Sequence, residues 1–257
     1  MRPMNPNYRY VFDRAVSASG TASPKVLDYG CGRGEVVTFG RSMGYEFFGV
    51  DRDAPASERP SHFQPLDGTR IQFDDAFFDV VVSNQVFEHV ADPPAALAEI
   101  ARVLKPGGVF IALFPSKAAW FEGHVGVYFV HRMHRDLAKV YLVICHRLGF
   151  GYYREGKSAR AWADFMLNQL ETDVFYHSST DLKRWWTSAF GSKPVAIEHD
   201  FILHRLSCSP RLRSFSRILS APIFKPITSF ICQKRAGIVW RTIRSPAGCD
   251  CTKSLAA

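Results

Sequence analysis

The chain predicts an α/β fold in which a mostly parallel sheet carries helices on both faces. Three observations lead there. Short apolar runs recur near residues 26, 47, 78 and 109, with helix-length segments between them. The first run, Val26-Leu27-Asp28-Tyr29, passes directly into Gly30-Cys31-Gly32-Arg33-Gly34, a turn whose glycines allow a tight bend and close backbone approach to a ligand. The length of 257 residues suits one enlarged domain or a core with a subdomain, and 47% apolar residues, 21 of them Phe, supply its interior.

Taken in order, Asn5 to Ala18 places Tyr8, Val11, Phe12 and Ala15 at helical spacing and stops near Gly20, so a short helix precedes the core. Tyr8 or Tyr10 could cap a site from there, with core packing as the alternative. Val26 and Leu27 read as the end of a buried parallel strand. After Gly34, Glu35 to Met43 opens a helix whose free N–H groups face the same ligand as the glycines. Phe47-Phe48-Gly49-Val50-Asp51 is a second strand ending in an acid, and a third apolar stretch runs into Asp67-Gly68. Phe78 to Val90 follows as a further stretch that opens with an apolar run. Ala91 to Val103 is a helix that starts at Asp92-Pro93-Pro94 and lines up Ala96, Leu97, Ile100, Ala101 and Leu104. Leu104-Lys105-Pro106-Gly107-Gly108 then turns into the fifth strand.

The fifth strand ends near Phe114-Pro115, and the next is expected over Pro194 to Leu206, with Val195, Ile197 and Phe201 as its apolar positions. The 78 residues between them far exceed a plain connection. His134 to Leu148, Ala159 to Leu170 and Ser179 to Phe190 read as helices. Leu137, Val140, Tyr141, Ile144 and Leu148 form the apolar face of the first, and Trp162, Phe165, Met166 and Leu170 that of the second. Ligands of such sheets bind beyond the carboxyl ends of the strands, so residues 117–193 are expected to form a helical substrate cap. Residues 208–235 interleave Arg211, Arg213, Arg217, Lys225, Lys234 and Arg235 with apolar residues at spacings of three and four, and Pro222 and Pro226 break them into two amphipathic pieces. Gly237 to Ile243 reads as the last strand. The expected regions are 1–20, 21–116, 117–193, 194–244 and a disordered tail, 245–257.

The spacing Asp-x-Gly-x-Gly-x-Gly differs from the dinucleotide fingerprint Gly-x-Gly-x-x-Gly, and the acid ahead of the first glycine suits a ligand with an ammonium group. It resembles motif I of the class I S-adenosylmethionine-dependent methyltransferases. Asp51, Asp67-Gly68, Phe78 to Val90 and Leu104 to Ala112 resemble the later segments of that family, in order, over roughly residues 20 to 116. The overall pattern is most similar to the small-molecule, quinone-methylating branch. The resemblance implies a Rossmann-like sheet of seven strands in the order 3-2-1-4-5-7-6, the last strand antiparallel. It also implies S-adenosyl-L-methionine as cofactor, bound by Asp28, Gly30, Cys31, Gly32, Gly34, Asp51, Arg52, Asp67, Gly68, Asn84 and Gln85. Asp51 would accept the ribose hydroxyls, and Asp67 falls where the family contacts the adenine amino group.

A sulfonium is already activated toward methyl transfer, so the protein has mainly to align a nucleophile and exclude water. An oxygen nucleophile usually needs a base, for which His is suited near neutral pH. His89, in a Glu-His pair matched by the family, and His124, in a loop between Gly123 and Gly126, are the candidates. His131 and His134 are expected on a helix shoulder. The histidines lack zinc-protease spacing, and no metal is expected.

Charge is uneven. Residues 1–131 carry 12 Lys/Arg against 15 Asp/Glu, whereas residues 132–257 carry 20 against 9. The basic half could meet nucleic acid, an anionic membrane, an acidic substrate or only solvent. A nucleic-acid methyltransferase is disfavoured because Asn84-Gln85-Val86-Phe87 lacks the Asn/Asp-Pro-Pro-Tyr/Phe turn and no RNA-binding module is recognisable. A non-catalytic cofactor-binding protein is the third alternative. The expected acceptor is a small molecule, with lipid-like and glycan-linked ones among the candidates, and 208–235 is the segment suited to peripheral contact with an anionic membrane. Cys31, Cys145, Cys208, Cys232, Cys249 and Cys251 show no CxxC spacing and read as reduced thiols of a cytosolic protein. The N-terminus has no secretory signal, and no run of 18 apolar residues is present.

Overall fold

The computed structural model describes residues 5–52 and 62–246. Seven strands form one sheet: β1 (Lys25–Tyr29), β2 (Glu46–Asp51), β3 (Phe63–Pro65), β4 (Phe78–Asn84), β5 (Leu104–Phe114), β6 (Val195–Ala196) and β7 (Ile238–Ile243). Their order is β3-β2-β1-β4-β5-β7-β6, the expected one. The first five are parallel; β7 runs antiparallel to β5, from Val109↔Ile243 to Phe114↔Ile238, and to β6. Gly237, just before β7, has φ +113°, and a Cβ there would stand 2.2 Å from the carbonyl oxygen of Phe114, so only glycine fits.

The sheet is apolar on both faces because successive side chains point to opposite sides. From β4 and β5, Val80, Val82, Val109, Ile111 and Leu113 meet α1 (Pro6–Ala18), α2 (Glu35–Ser42), α7 (Glu198–Ser207) and α9 (Lys225–Arg235). Val81, Phe110, Ala112 and Phe114 point the other way, toward α3 (Pro93–Val103) and α6 (Ser179–Phe190). Trp186 of α6 stacks on Phe110 at 5.0 Å and is fully buried. Helix α8 (Arg213–Leu219) buries none of its residues.

Three expectations change. Pro194 to Leu206 is a strand only at Val195–Ala196; the rest is α7. Its acidic first turn, Glu198 and Asp200, and basic last turn, His204 and Arg205, suit a helix dipole. Two buried polar groups fix it: Glu198 accepts from Gln233 at 3.3 Å, and His199 Nδ1 meets Thr228 Oγ1 at 2.7 Å, both on α9. Secondly, α6 lies on the sheet, so the third cap helix is part of the core. The remaining insertion has its own small core, in which α4 (Arg135–Arg147), α5 (Ala159–Asp173) and the hairpin Phe121–Glu122/Val127–Tyr128 surround Leu142, Trp162 and Met166. Thirdly, α4 turns Ala138, Leu142 and Cys145 inward, leaving Leu137, Val140, Ile144 and Leu148 exposed. The expected buried face of α4 is its outer one. Of the tail assigned to 245–257, residues 247–257, with Cys249 and Cys251, lie outside the described residues. Cys31, Cys145, Cys208 and Cys232 are free thiols.

Candidate active site

A cavity of about 780 Å³ opens at the carboxyl ends of β1, β2 and β4. The glycine turn forms its floor. Gly30 and Cys31 donate their N–H groups to the carbonyl of Val50, at 2.8 and 3.0 Å, which folds the turn over the end of β2. Gly32 donates to Asp51 Oδ2 at 2.7 Å. The glycines serve different purposes. All three have positive φ, but a Cβ on Gly30 would strike Val86 at 2.2 Å and one on Gly34 would strike Phe63 at 2.3 Å. Of the three, only Gly32 would send a side chain into open space.

Asp28, Gly30, Cys31, Gly32, Asp51, Arg52, Gly68, Asn84, Gln85 and His89 line the cavity. Gly34 and Asp67 are not in its lining. Gly34 caps α2 instead, and Asp67 is exposed, its carbonyl accepting the Arg70 N–H at 2.9 Å; Leu66 and Thr69 stand in the wall beside it. Tyr8 also lines the cavity, whereas Tyr10 is buried against Phe201 at 5.0 Å. Gln85 holds φ +59° and donates its N–H to Leu113, so the chain turns sharply as it leaves β4. Burial, reinforced by the charge of Asp51, pushes the Asp28 carboxyl up to about 7. An uncompensated buried acid facing a cavity favours a cationic ligand group.

His89 ends the short helical turn Phe87–His89, and its ring is oriented from the insertion. Its Nδ1 donates to the carbonyl of Asp173, the last residue of α5, at 2.6 Å. His124 does not line the cavity. It sits behind His89, their Nε2 atoms 3.2 Å apart. His124 Nδ1 donates to Glu122 Oε1 at 2.7 Å, and Tyr176 donates its O–H to the other oxygen of Glu122. Burial alone would raise the carboxyl of Glu122, but the hydrogen bonds from His124 and Tyr176 outweigh it and hold it below its ordinary value. Burial lowers His89. His124 is raised despite burial, because Glu122 bonds and attracts its charged form. The side chain of His131, expected on a helix shoulder, is instead enclosed, its Nδ1 3.3 Å from Glu122; His134 is exposed beside Asp136.

Sequence reasoning missed Glu122 and Tyr176. Glu122 is fully buried in a two-residue strand, and Tyr176 follows α5 with no periodic pattern around it. The short spacing Glu122-Gly123-His124 was the available signal.

The glycine turn, the Asp51 carboxylate and His89, with His124 behind it, thus stand together at the carboxyl edge of the sheet. Residues 27–112 match the methyltransferase domain family. The match supports the class I S-adenosylmethionine-dependent methyltransferase reading for that core. An uncharacterized methyltransferase of Mycolicibacterium gilvum is 28% identical over 180 residues, 67% of this chain and 64% of the relative. A ubiquinone biosynthesis O-methyltransferase of Maricaulis maris is 35% identical over 98 residues, 34% of this chain and 39% of the relative. The chain thus spans less than two thirds of these relatives. An S-adenosylmethionine-dependent methyltransferase from Mesorhizobium loti shares the fold, with a TM-score of 0.52 at 12% identity over 90% of this chain and 96% of that one.

Proposed function

We propose that this chain transfers the methyl group of S-adenosylmethionine to a small-molecule acceptor by in-line displacement. The observation that carries the reading is the convergence of Asp28, the Gly32 turn and Asp51 on one cavity at the carboxyl edge of the sheet. Asp28 would meet the cofactor's ammonium and Asp51 its ribose hydroxyls, and the open space at Gly32 would take the ligand itself. When bound, the cofactor supplies an activated methyl group. The protein's part is to orient the acceptor against it, and His89, in the cavity wall, would touch that acceptor.

A lipid-like acceptor hydroxyl is the class this reading favours. The name of the Maricaulis maris relative, an O-methyltransferase of ubiquinone biosynthesis, supports it. So does the surface. Phe215, Ile218, Ile223, Ile227 and Phe230 are each exposed, and the charged residues of 208–235 are all basic. Leu219, expected among them, is half-buried. Phe230 meets the exposed Trp120 edge-on at 6.1 Å, which extends the patch onto the hairpin beside Phe129. An apolar patch with Arg211, Arg217 and Lys225 exposed around it is suited to the interface of an anionic membrane. Among the described residues no helix is long and apolar enough to cross a bilayer, so contact would be peripheral.

The test is incubation of the full chain with isotope-labelled S-adenosylmethionine and a host lipid extract, followed by mass spectrometry. A labelled lipid product supports the reading. Label appearing only in water-soluble products refutes the lipid class, and no transfer to any fraction, despite cofactor binding, refutes catalysis.

A further inference from the structure

Behind the cofactor cavity, Glu88, His89 and His124 each offer a ligand atom, all within 4.8 Å of one another. Their protons can be placed from their partners. His89 Nδ1 faces the Asp173 carbonyl, which can only accept, so that nitrogen carries the hydrogen. His124 Nδ1 faces Oε1 of Glu122 at 2.7 Å, whose other oxygen already accepts from Tyr176, so it too carries the hydrogen. As neutral rings, both histidines then present bare Nε2 lone pairs to each other across 3.2 Å. Beside them Glu88 is 2% exposed, and neither of its carboxyl oxygens has a hydrogen-bond partner.

Two facing lone pairs and an unpartnered buried carboxyl call for a positive centre. A single proton between the histidines would satisfy that pair and leave both oxygens of Glu88 orphaned. A divalent cation answers all three. With metal–nitrogen bonds of roughly 2.0–2.1 Å, two ligands on a tetrahedral centre stand about 3.3–3.4 Å apart, close to the separation of the two rings. Each ring is also anchored through its other nitrogen, one to a carboxylate and one to a backbone carbonyl, the arrangement that orients metal-binding histidines. Two imidazoles and a carboxylate suit zinc and its neighbours in the first transition row.

We infer that Glu88, His89 and His124 form a binding site for a divalent cation of the zinc class in the wall of the cofactor cavity. Three protein ligands leave a tetrahedral ion one open position. His89 belongs both to this site and to the cavity lining, so an acceptor hydroxyl could take that position and lose its proton more readily. This use rests on the methyl-transfer reading; binding of the cation does not.

The experiment uses the full chain stripped with a chelator. Zinc binding is followed by calorimetry, and cobalt uptake by its visible absorption. One equivalent per chain, with an intense tetrahedral-type cobalt spectrum, is expected. His124→Ala, on the surface hairpin, and Glu88→Gln should abolish that spectrum, and Glu122→Gln should weaken affinity about 10- to 100-fold. Circular dichroism checks that each variant is folded, and His124→Ala decides if Glu88→Gln is not. Absence of uptake by the folded wild type would overturn the inference, as would uptake unchanged in His124→Ala. A nitrogen-15 spectrum of stripped protein showing one imidazolium, without later cation binding, would assign the pair to a shared proton. Titration of the same stripped protein with S-adenosylmethionine reports on the cofactor reading separately.

Discussion

Gly32 and Asp51 are joined by a 2.7 Å hydrogen bond from backbone N–H to carboxylate, so the acid at the end of the second strand holds the tip of the glycine turn. The same acid is proposed to receive the ribose, so turn and nucleoside share one anchor. Gly32→Val places a β-branched residue at φ +51° and fills the open space above the turn. Loss of S-adenosylmethionine binding is expected, with a stability cost of roughly 1–3 kcal/mol from the strained backbone. Calorimetry and thermal melting check both, and an unchanged affinity would remove the turn from the cofactor site. Asp51→Ala should weaken cofactor binding by about 1.5–3 kcal/mol, the scale of a hydrogen bond to a charged group.

Asp28 links folding and binding to pH. Its folded carboxyl is raised to about 7, through burial first and Asp51 second. In the unfolded chain it ionises near its ordinary value of 3.8. Between these values the folded state keeps a proton that the unfolded state has lost, so its contribution is full below the lower value and lost as pH rises through the upper. The cofactor-free protein should therefore lose stability across that window, and Asp28→Asn should flatten the slope. Cofactor binding should act in the opposite sense: an ammonium beside Asp28 stabilises the carboxylate and expels its proton. Calorimetry at pH about 6 in two buffers of different ionisation heat should show proton release in the wild type and none in Asp28→Asn. Equal heats in the wild type would separate Asp28 from the ammonium.

The basic flank makes a prediction about surfaces. Each Lys or Arg near an anionic bilayer contributes about 1 kcal/mol, so co-sedimentation with phosphatidylserine vesicles should occur at low salt and decline as salt is added. Ile223, 80% exposed, has little to lose on substitution, so Ile223→Asp should reduce vesicle binding without altering the melting temperature. Failure of the wild type to sediment at low salt would leave a basic flank that meets only solvent.

Gly237 offers a test of the sheet itself. Gly237→Ala puts a Cβ against the backbone of Phe114 at a φ that L-residues rarely adopt. A loss of roughly 1–3 kcal/mol or more is expected from chemical denaturation. A neutral result would mean that β5 and β7 are not in the register described.

The sheet was legible because each strand pairs an apolar run with a following turn, and the glycine spacing pointed to the carboxyl edge where Gly30 and Gly32, though not Gly34, line the cavity. The site's far side was not. Asp173 meets His89 across 84 residues of chain, His124 meets His89 across 35, and Tyr176 meets Glu122 across 54, through contacts that no local period encodes. Helix α4 misled for a related reason. It carries apolar residues on two faces, and only the packing of Ala138, Leu142 and Cys145 on α5 decides which is interior. At Pro194 to Leu206, Val195, Ile197 and Phe201 suggested a strand, while the acids and bases at the ends of Glu198–Ser207 already matched a helix.

The short stretch from the last residue of α5 onward bears on any attempt to reduce this chain to a minimal unit. Asp173 orients His89, Phe175 donates its N–H to the Glu88 carbonyl, Tyr176 bonds Glu122, and His177 meets the Val90 carbonyl at 3.1 Å. These residues baste the insertion to the sheet at the place where chemistry is proposed. A shortened chain lacking residues 117–177 would keep the glycine turn and its cavity floor, yet forfeit four of the contacts that shape the opposite wall. Cofactor binding alone would thus be a poor gauge of success in such trimming, since the floor can survive as a receptor after the wall where chemistry is proposed has gone.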